Sequence, residues 1–421
     1  MLAAELLSIP DQNAIQLPFR RTLLFWLVLT DSWCVFQYYL LAFPGAWLFP
    51  YVLGALLFLF LCLSQNRRVF FNICMNTKVF LFEIWILYTV INSYYKNFTG
   101  SSVTVSFAYL AFFLPLQVYI FRTDFAACLK CTAAALTFVI SFFLMASAES
   151  IMTLTRISSQ YVNANDLAQY VNILLFAAGI MLFSGIIRRF SFFFFSVFCI
   201  IVSLLCQSRT GLVGLLFLFL SCMFLFAKNL KRVLFNSLSG CLLAYLAYEL
   251  FFVNTEFFDR FRSIETESIM SQYDNWLSVL IEKFAGERSY YYFKGWEIFE
   301  YNFWTGIGAE NFQWHPINTI GTVCHVELMS QLCEGGLIGA GLFLCAQVSL
   351  SFICFKRFLQ SKHAADFAIF LFCSFPLLEC LSAHIFPATR YLIIFAFIIF
   401  YLDYFKQDRI EGDSCSSTER M

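Results

Sequence analysis

Long apolar runs separated by short polar turns cover most of the 421-residue chain. A helix needs about 20 predominantly apolar residues to cross a bilayer, and the hydrophobic pattern contains twelve runs of roughly this length. The pattern therefore predicts an all-α polytopic membrane protein with about twelve transmembrane helices. The predicted spans are 22–42, 46–64, 78–95, 103–121, 125–147, 166–187, 190–206, 211–227, 233–253, 325–354, 364–385 and 388–405.

One polar interval, residues 254–324, is much longer than any other loop. Compact proteins seldom contain a plain connector of this length, so we expect a partly helical cap over the membrane domain. The predicted organisation is helices one to nine in 1–253, the large loop in 254–324, helices ten to twelve in 325–405, and a cytoplasmic tail in 406–421.

The distribution of Lys and Arg predicts the orientation, because cytoplasmic loops carry an excess of these residues. Basic pairs such as 67–68, 188–189 and 356–357 fall on one side of the predicted helices, together with the N-terminus and the tail. The short loops of the other side hold only Lys96, Arg156, Arg209 and Arg390. Both termini are therefore predicted to be cytoplasmic, and the large loop extracytoplasmic.

Composition agrees with a membrane protein, since 60% of residues are hydrophobic and 13% charged, against about 25% charged in soluble domains. The sixteen cysteines lie almost all in apolar runs, which favours small core residues over disulfides or a metal cage. The sequence contains no phosphate-binding loop, metalloprotease motif or basic aromatic surface for nucleic acid. No cofactor or metal is expected.

The junction between the large loop and the tenth predicted helix is the strongest candidate for chemistry. His325 lies there, and a helix N-terminus favours a neutral imidazole that can accept a proton; the alternative is an interfacial, hydrogen-bonded ring. Glu327 and Glu334 are seven residues apart on one helix face. Either carboxylate could orient a partner or be a buried structural group.

Two arginines on the same side are candidate ligands for an anion. Arg209 in C-Q-S-R-T-G is a candidate phosphate clamp, because its planar fork matches phosphate oxygens, or else an interfacial residue that reaches the headgroups. Arg288 precedes Tyr291 and Trp296, so it is a candidate second anion ligand beside a sugar-stacking platform, or else a solvated loop residue. Asn165 or Asn163 is a candidate N-cap, or a polar contact near the same cavity.

Four carboxylates fall inside predicted spans and admit two interpretations, a proton path or structural pairing. Their scatter over different helices favours pairing. His384 and Arg390 flank the last outer turn and could add to the outer site. The four carboxylates are Asp31, Glu83, Glu249 and Glu379.

Several motifs in a fixed order resemble the O-antigen ligase and O-antigen polymerase superfamily over about residues 160–345. They are N-A-N-D-L-A, C-Q-S-R-T-G, R-(x7)-W-(x9)-G-I-G-A-E-N-F and H-V-E-L-M-S-Q-L-C-E-G-G-L-I-G. The chain departs from the family at Val326, which follows the histidine where the family commonly has asparagine.

The resemblance implies a fold similar to the GT-C type and glycosyl transfer at the outer face of the bacterial inner membrane. The donor would be a glycan on undecaprenyl pyrophosphate, with Arg209 and Arg288 binding the pyrophosphate and His325 serving the acceptor hydroxyl. Asn165, Tyr291, Trp296 and Glu327 are the expected substrate contacts. The reaction would be metal-independent and inverting, and a chain-length regulator or flippase of the same pathway is a candidate partner.

Polymerase and ligase share these motifs, and nothing in their spacing separates them. We prefer a polymerase that extends a lipid-linked O-antigen or capsule repeat unit over a ligase that transfers the chain to lipid A-core. A transporter or flippase would be marked by paired broken helices at the midplane, which the sequence does not show. A non-catalytic scaffold would tolerate substitutions at Arg209 and His325.

Overall fold

The computed structural model describes residues 20–33, 35, 48–96, 101–153, 164–225, 288–380 and 391–403. It is 86% helical and contains no strand in the described parts, so the predicted all-α class is confirmed. The predicted helix at 233–253, the first half of the large loop and the tail lie outside the described residues, as do Glu249, His384 and Arg390.

The observed helices follow the predicted apolar runs. In chain order they are α1 Arg20–Asp31, α2 Phe49–Leu63, α3 Arg67–Cys74, α4 Thr77–Tyr95, α5 Ser101–Ala146, α6 Ala148–Met152, α7 Ala164–Phe183, α8 Arg189–Cys206, α9 Arg209–Leu225, α10 Ser289–Tyr301, α11 Glu327–Ser361, α12 Ala364–Cys380 and α13 Leu392–Asp403. A 3₁₀ turn at Asn311–Trp314 lies between α10 and α11.

Four helices among the described residues are long and apolar enough to cross a membrane: Phe112–Ala146 of α5, and α7, α8 and α11. A fifth span results if α2 and α3, which are bent by 117° at a short break, are counted together. The protein is thus an integral membrane protein with multiple apolar helices.

The predicted boundary between the fourth and fifth spans appears as a kink inside α5. Asp124 has non-helical torsion angles (φ −155°, ψ 73°), and its carboxylate accepts a hydrogen bond from the backbone N–H of Ala127 at 3.1 Å. It also forms an ion pair with Arg20 of α1. The polar residue that interrupts the apolar run therefore caps the second half of the helix.

Polar contacts distinguish two ends of the helix bundle. At one end, Lys78 at the start of α4 pairs with Asp403 at 2.5 Å, and Arg357 near the end of α11 pairs with Asp366 at 2.8 Å; we call this the ion-pair end. At the other end of α4, Asn92 donates to the carbonyl of Thr305 at 2.7 Å. We call this the site end, because residues 288–325 pack there.

A chain segment between α10 and the 3₁₀ turn is hydrogen-bonded to α11 at a break in that helix. Gly336 has a conformation outside the helical region (φ 65°, ψ −168°), and the segment 303–308, here called the strap, lies against it. Backbone hydrogen bonds join Leu337 N to Phe303 O (2.7 Å), Ile338 N to Trp304 O (3.2 Å), Ile307 N to Cys333 O (3.0 Å) and Gly308 N to Glu334 O (2.8 Å). The sequence did not predict this broken helix.

Candidate functional site

The first turn of α10 holds three tyrosines, two of which form hydrogen bonds with the loop before α11. The hydroxyl of Tyr290 accepts a hydrogen bond from the backbone N–H of Thr319 at 2.9 Å, and its side chain is buried. The hydroxyl of Tyr291 lies 3.2 Å from the Thr322 hydroxyl. Tyr290 therefore has a structural role, and the loop that leads to His325 is held against α10.

His325 lies two residues before α11 and contacts Tyr291 directly. The ring centroids are 5.3 Å apart at an interplanar angle of 89°, an edge-to-face arrangement that aromatic rings favour. The neighbouring Cys324 and Val326 are buried in a small apolar cluster, whereas His325 is half-buried. Val326 is thus a core residue, and the imidazole of His325 packs edge-to-face against the ring of Tyr291.

Arg288 immediately precedes α10, one turn before the tyrosine that contacts His325. Burial raises the pKa of the Tyr292 phenol, and the nearby Arg288 guanidinium opposes that shift. The positive charge of Arg288 therefore acts on the same helical turn that positions His325. Arg288 and the tyrosine that contacts His325 are thus three residues apart at the start of α10.

Trp296 lies on a different side of α10 from Tyr291. Five residues correspond to about 140° of rotation around a helix, and Trp296 is 50% exposed. Its indole N–H donates to Glu300 at 2.6 Å, and a Lys294–Glu297 ion pair lies on the same helix. The single aromatic platform predicted from the sequence is therefore divided between a packed face and an exposed face.

Glu327 and Glu334 are both buried at the start of α11, and both are engaged. Glu327 accepts from the Gln331 amide at 2.8 Å, and the carbonyl of that amide accepts from the Trp85 indole at 3.0 Å. Glu334 accepts from the Ser330 hydroxyl at 2.7 Å and from the backbone N–H of Phe312 at 3.2 Å. Glu334 thus anchors the 3₁₀ turn, while Glu327 belongs to a chain of hydrogen bonds that ends on α4.

The two motifs N-A-N-D-L-A and C-Q-S-R-T-G meet in the structure. Asn165 lies inside the first turn of α7, so it is not the N-cap; Asn163 lies outside the described residues. The side chain of Asn165 accepts from the Ser208 hydroxyl at 2.8 Å. Arg209 begins α9 directly after this contact, although its side chain is not among those described. The residue that precedes Arg209 is therefore hydrogen-bonded to α7.

Two turns further along α7, Asn172 contacts a buried carboxylate of α12, which also bonds the residue immediately before α13. Glu379 accepts from the Asn172 amide at 3.2 Å and from the Tyr391 hydroxyl. A Cβ added at Gly214 of α9 would lie 2.9 Å from Glu379 Oε1, so the glycine permits this close approach. Structural pairing is the role found for Glu379. Asp31 and Glu83 each have one carboxylate oxygen without a hydrogen-bond partner in the described structure.

Several residues that build the site were not singled out from the sequence. Gln331 follows Glu327 by four positions and Asn172 follows Asn165 by seven, and both spacings place side chains on one helix face. The Gly335–Gly336 pair also signals a break in a helical pattern. In the described structure, no group of three or more His, Cys, Asp or Glu side chains is arranged to hold a metal ion.

The apolar helices and the polar site at one end of them define a polytopic membrane protein. Residues 192–344 match the model of the O-antigen ligase family, which confirms the resemblance to the O-antigen ligase and polymerase superfamily. Members of the family are glycosyltransferase-like enzymes. The match includes Arg209, Arg288 and His325, whereas Asn165 precedes it. No curated protein matches the chain significantly.

Proposed function

We propose that the protein is a polysaccharide repeat-unit polymerase. It transfers a glycan from undecaprenyl pyrophosphate to a hydroxyl of a lipid-linked acceptor, by a metal-independent, inverting reaction. The observation that carries this proposal is the contact between Tyr291 and His325, one helical turn from Arg288, inside the matched O-antigen ligase domain. Glycosyl transfer from a pyrophosphate requires a base for the acceptor hydroxyl and a ligand for the leaving anion within one site.

Arg209 and Arg288 are the groups that we propose bind the donor pyrophosphate. Guanidinium groups stabilise the negative charge that develops on the leaving group as the glycosidic bond breaks. Because α9 begins at Arg209, the backbone N–H groups at its N-terminus also favour a bound anion. The hydrogen bond between Asn165 and Ser208 supports this proposal, since it fixes the turn that precedes Arg209.

His325 is the group that we propose accepts the proton of the acceptor hydroxyl. The hydroxyl oxygen attacks the anomeric carbon, its proton passes to the imidazole, and undecaprenyl pyrophosphate leaves from the opposite face. A positioned base contributes about 10²–10⁴ to such a rate. Tyr291 packs edge-to-face against the imidazole, and Trp296 is a proposed glycan contact on the exposed face of α10. Glu327 was expected to contact the substrate, but it is fully buried, so we assign it a structural role.

The proposed topology has about twelve spans in a GT-C-type arrangement. Both termini lie in the cytoplasm of a bacterium, and loop 254–324 with the active site lies at the outer face of the inner membrane. The ion pairs of Lys78 and Arg357 support this, because they gather basic residues at the end of the bundle opposite the site. A chain-length regulator or flippase of the same pathway remains a proposed partner.

The test is the glycan profile of a deletion strain complemented with wild-type, Arg209→Ala, His325→Ala or His363→Ala protein. His363 is an exposed histidine beyond the ion-pair end of α11 and serves as the matched control. We expect single repeat units on the surface with the deletion and the two site variants, and normal chains with His363→Ala. Long chains that accumulate on undecaprenyl pyrophosphate would instead identify a ligase. Normal profiles from both site variants would overturn the catalytic assignment.

A further inference from the structure

Exposed aromatic side chains gather at the site end of the bundle. Tyr94 and Tyr95, the last residues of α4, are 84% and 81% exposed, and Tyr301 and Trp304 are 77% and 64% exposed. Phe303 packs against Trp304 with a centroid distance of 5.1 Å and is itself 42% exposed. So much exposed aromatic surface is unfavourable in water.

Two of these aromatic residues, Phe303 and Trp304, belong to the strap, which is hydrogen-bonded to two helices. The carbonyls of Phe303 and Trp304 accept hydrogen bonds from Leu337 and Ile338 of α11. The carbonyl of the next residue accepts from Asn92 of α4. The aromatic residues of the strap therefore sit at the level of the break in α11 and of the last turn of α4.

The lengths of the two helices place that level at a membrane boundary. Lys356 lies 19 residues after Leu337, which corresponds to about 28 Å of helix, close to the roughly 30 Å thickness of the hydrocarbon core. On α4, Tyr95 lies 17 residues after Lys78, or about 25 Å. In α4, a lysine lies at the ion-pair end and tyrosines lie at the site end. In α11, Lys356 lies at the ion-pair end, and the break that contacts the strap lies at the site end.

The surface of α11 below the break is apolar and continuous with the strap. Leu337, Ile338, Val348 and Phe352 are between 41% and 63% exposed, as expected for side chains that face lipid. Trp304 of the strap lies next to this surface, because its carbonyl accepts a hydrogen bond from Ile338 just after the break in α11. Tryptophan and tyrosine are enriched at this depth because their rings have both an apolar face and a polar group.

We propose that Tyr94, Tyr95, Tyr301, Phe303 and Trp304 form an aromatic band that lies in the headgroup layer of a lipid bilayer. The membrane span of α11 then begins at Leu337, and residues 327–335 stand outside the hydrocarbon core together with His325. The band holds the candidate site at the height of the lipid headgroups. This inference concerns membrane depth and does not depend on the proposed reaction.

Two other exposed tryptophans differ from this band in their surroundings. Trp296 donates to Glu300 and lies on the helix of the Lys294–Glu297 ion pair. Trp314, 73% exposed, ends the 3₁₀ turn, which is not part of the strap. We expect these side chains to face water, so Trp314 is the matched control for Trp304.

The test measures the quenching of tryptophan fluorescence in the full-length protein, reconstituted into phosphatidylcholine nanodiscs. The difference between wild type and Trp304→Phe isolates the emission of Trp304, and Trp314→Phe does the same for the control. Each protein is measured with brominated acyl chains in the lipid and with iodide in the buffer. If Trp304→Phe does not fold, Trp304→Tyr removes the same indole.

We expect brominated lipid to quench the emission of Trp304 and iodide to quench that of Trp314. Iodide quenching of Trp304 equal to that of Trp314 would show that the band faces water and would overturn the proposal. Protection of Trp304 from both quenchers would also overturn it, because a protein surface or a second copy of the chain would then cover the band.

Discussion

Gly336→Ala is the substitution that most directly tests the broken helix and its strap. Gly336 has torsion angles that essentially only glycine adopts, and holding another residue there costs about 1–3 kcal/mol. A Cβ at this position would lie 2.5 Å from the backbone nitrogens of Gly306 and Thr305 and from the carbonyl carbon of Trp304. These are backbone atoms, so rotation of a side chain cannot relieve the overlap.

The strap must therefore move away from α11, which breaks hydrogen bonds. Four backbone hydrogen bonds hold the strap, and each contributes about 0.5–1.5 kcal/mol. If two of them are lost in addition to the conformational cost, the free energy of unfolding falls by about 2–6 kcal/mol.

Gly335→Ala is the control, because it makes the same change one residue earlier. A Cβ at Gly335 would meet its nearest neighbour at 3.7 Å, an ordinary contact, and alanine favours a helix over glycine by about 1 kcal/mol. We expect this variant to be as stable as wild type or more so. Unfolding of the purified proteins in an SDS titration, followed by tryptophan fluorescence, gives the two free energies. Equal stability of Gly336→Ala and Gly335→Ala would refute the reasoning.

Two further predictions concern the side chains around the site. Tyr291→Ala removes the ring that orients His325 and should lower the rate of glycan transfer in a membrane assay, whereas Tyr291→Phe keeps the ring and should retain most of it; equal loss in both variants would argue against an orienting role. Gln331→Leu leaves the carboxylate of Glu327 and the indole on α4 each without one buried partner, so it should lower thermal stability at a cost of about 1–3 kcal/mol for each group. On the same helix, the amide of buried Gln347 has no hydrogen-bond partner among the described residues. Gln347→Leu should therefore be neutral or stabilising. A decrease in melting temperature as large as that of Gln331→Leu would contradict this account.

Local sequence patterns were sufficient to predict the helices that surround the site. Apolar runs long enough to cross a bilayer located α4, α7, α8 and α11, because a membrane-spanning helix needs about 20 predominantly apolar residues. The predicted break near residue 124 also appears, where an aspartate interrupts the apolar run and caps the next helix. The predicted ends of the helices were less accurate than their positions. α11 extends seven residues past its predicted end.

The sequence predicted which residues belong to the candidate site, but only part of their spatial arrangement. The order of polar motifs pointed to His325, Arg288 and Asn165, since arginine and histidine near the ends of apolar helices are chemically unusual. It did not reveal that Trp296 faces away from Tyr291, because the helical register of α10 could not be read inside a polar loop. It also did not show that Asn165 contacts the turn before Arg209, a pairing between residues 43 positions apart.

The sequence by itself determined that this chain is an all-α membrane protein whose motifs resemble the O-antigen ligase and polymerase superfamily, because the length of apolar runs and the order of motifs are local properties of the chain. Only the tertiary structure showed that α11 is broken at Gly336 and hydrogen-bonded there to the strap. The non-helical conformation of Gly336 occurs where the strap forms backbone hydrogen bonds with α11, and the strap is more than 25 residues earlier in the chain. Contacts between distant segments depend on packing geometry, which a one-dimensional pattern of residue types does not contain.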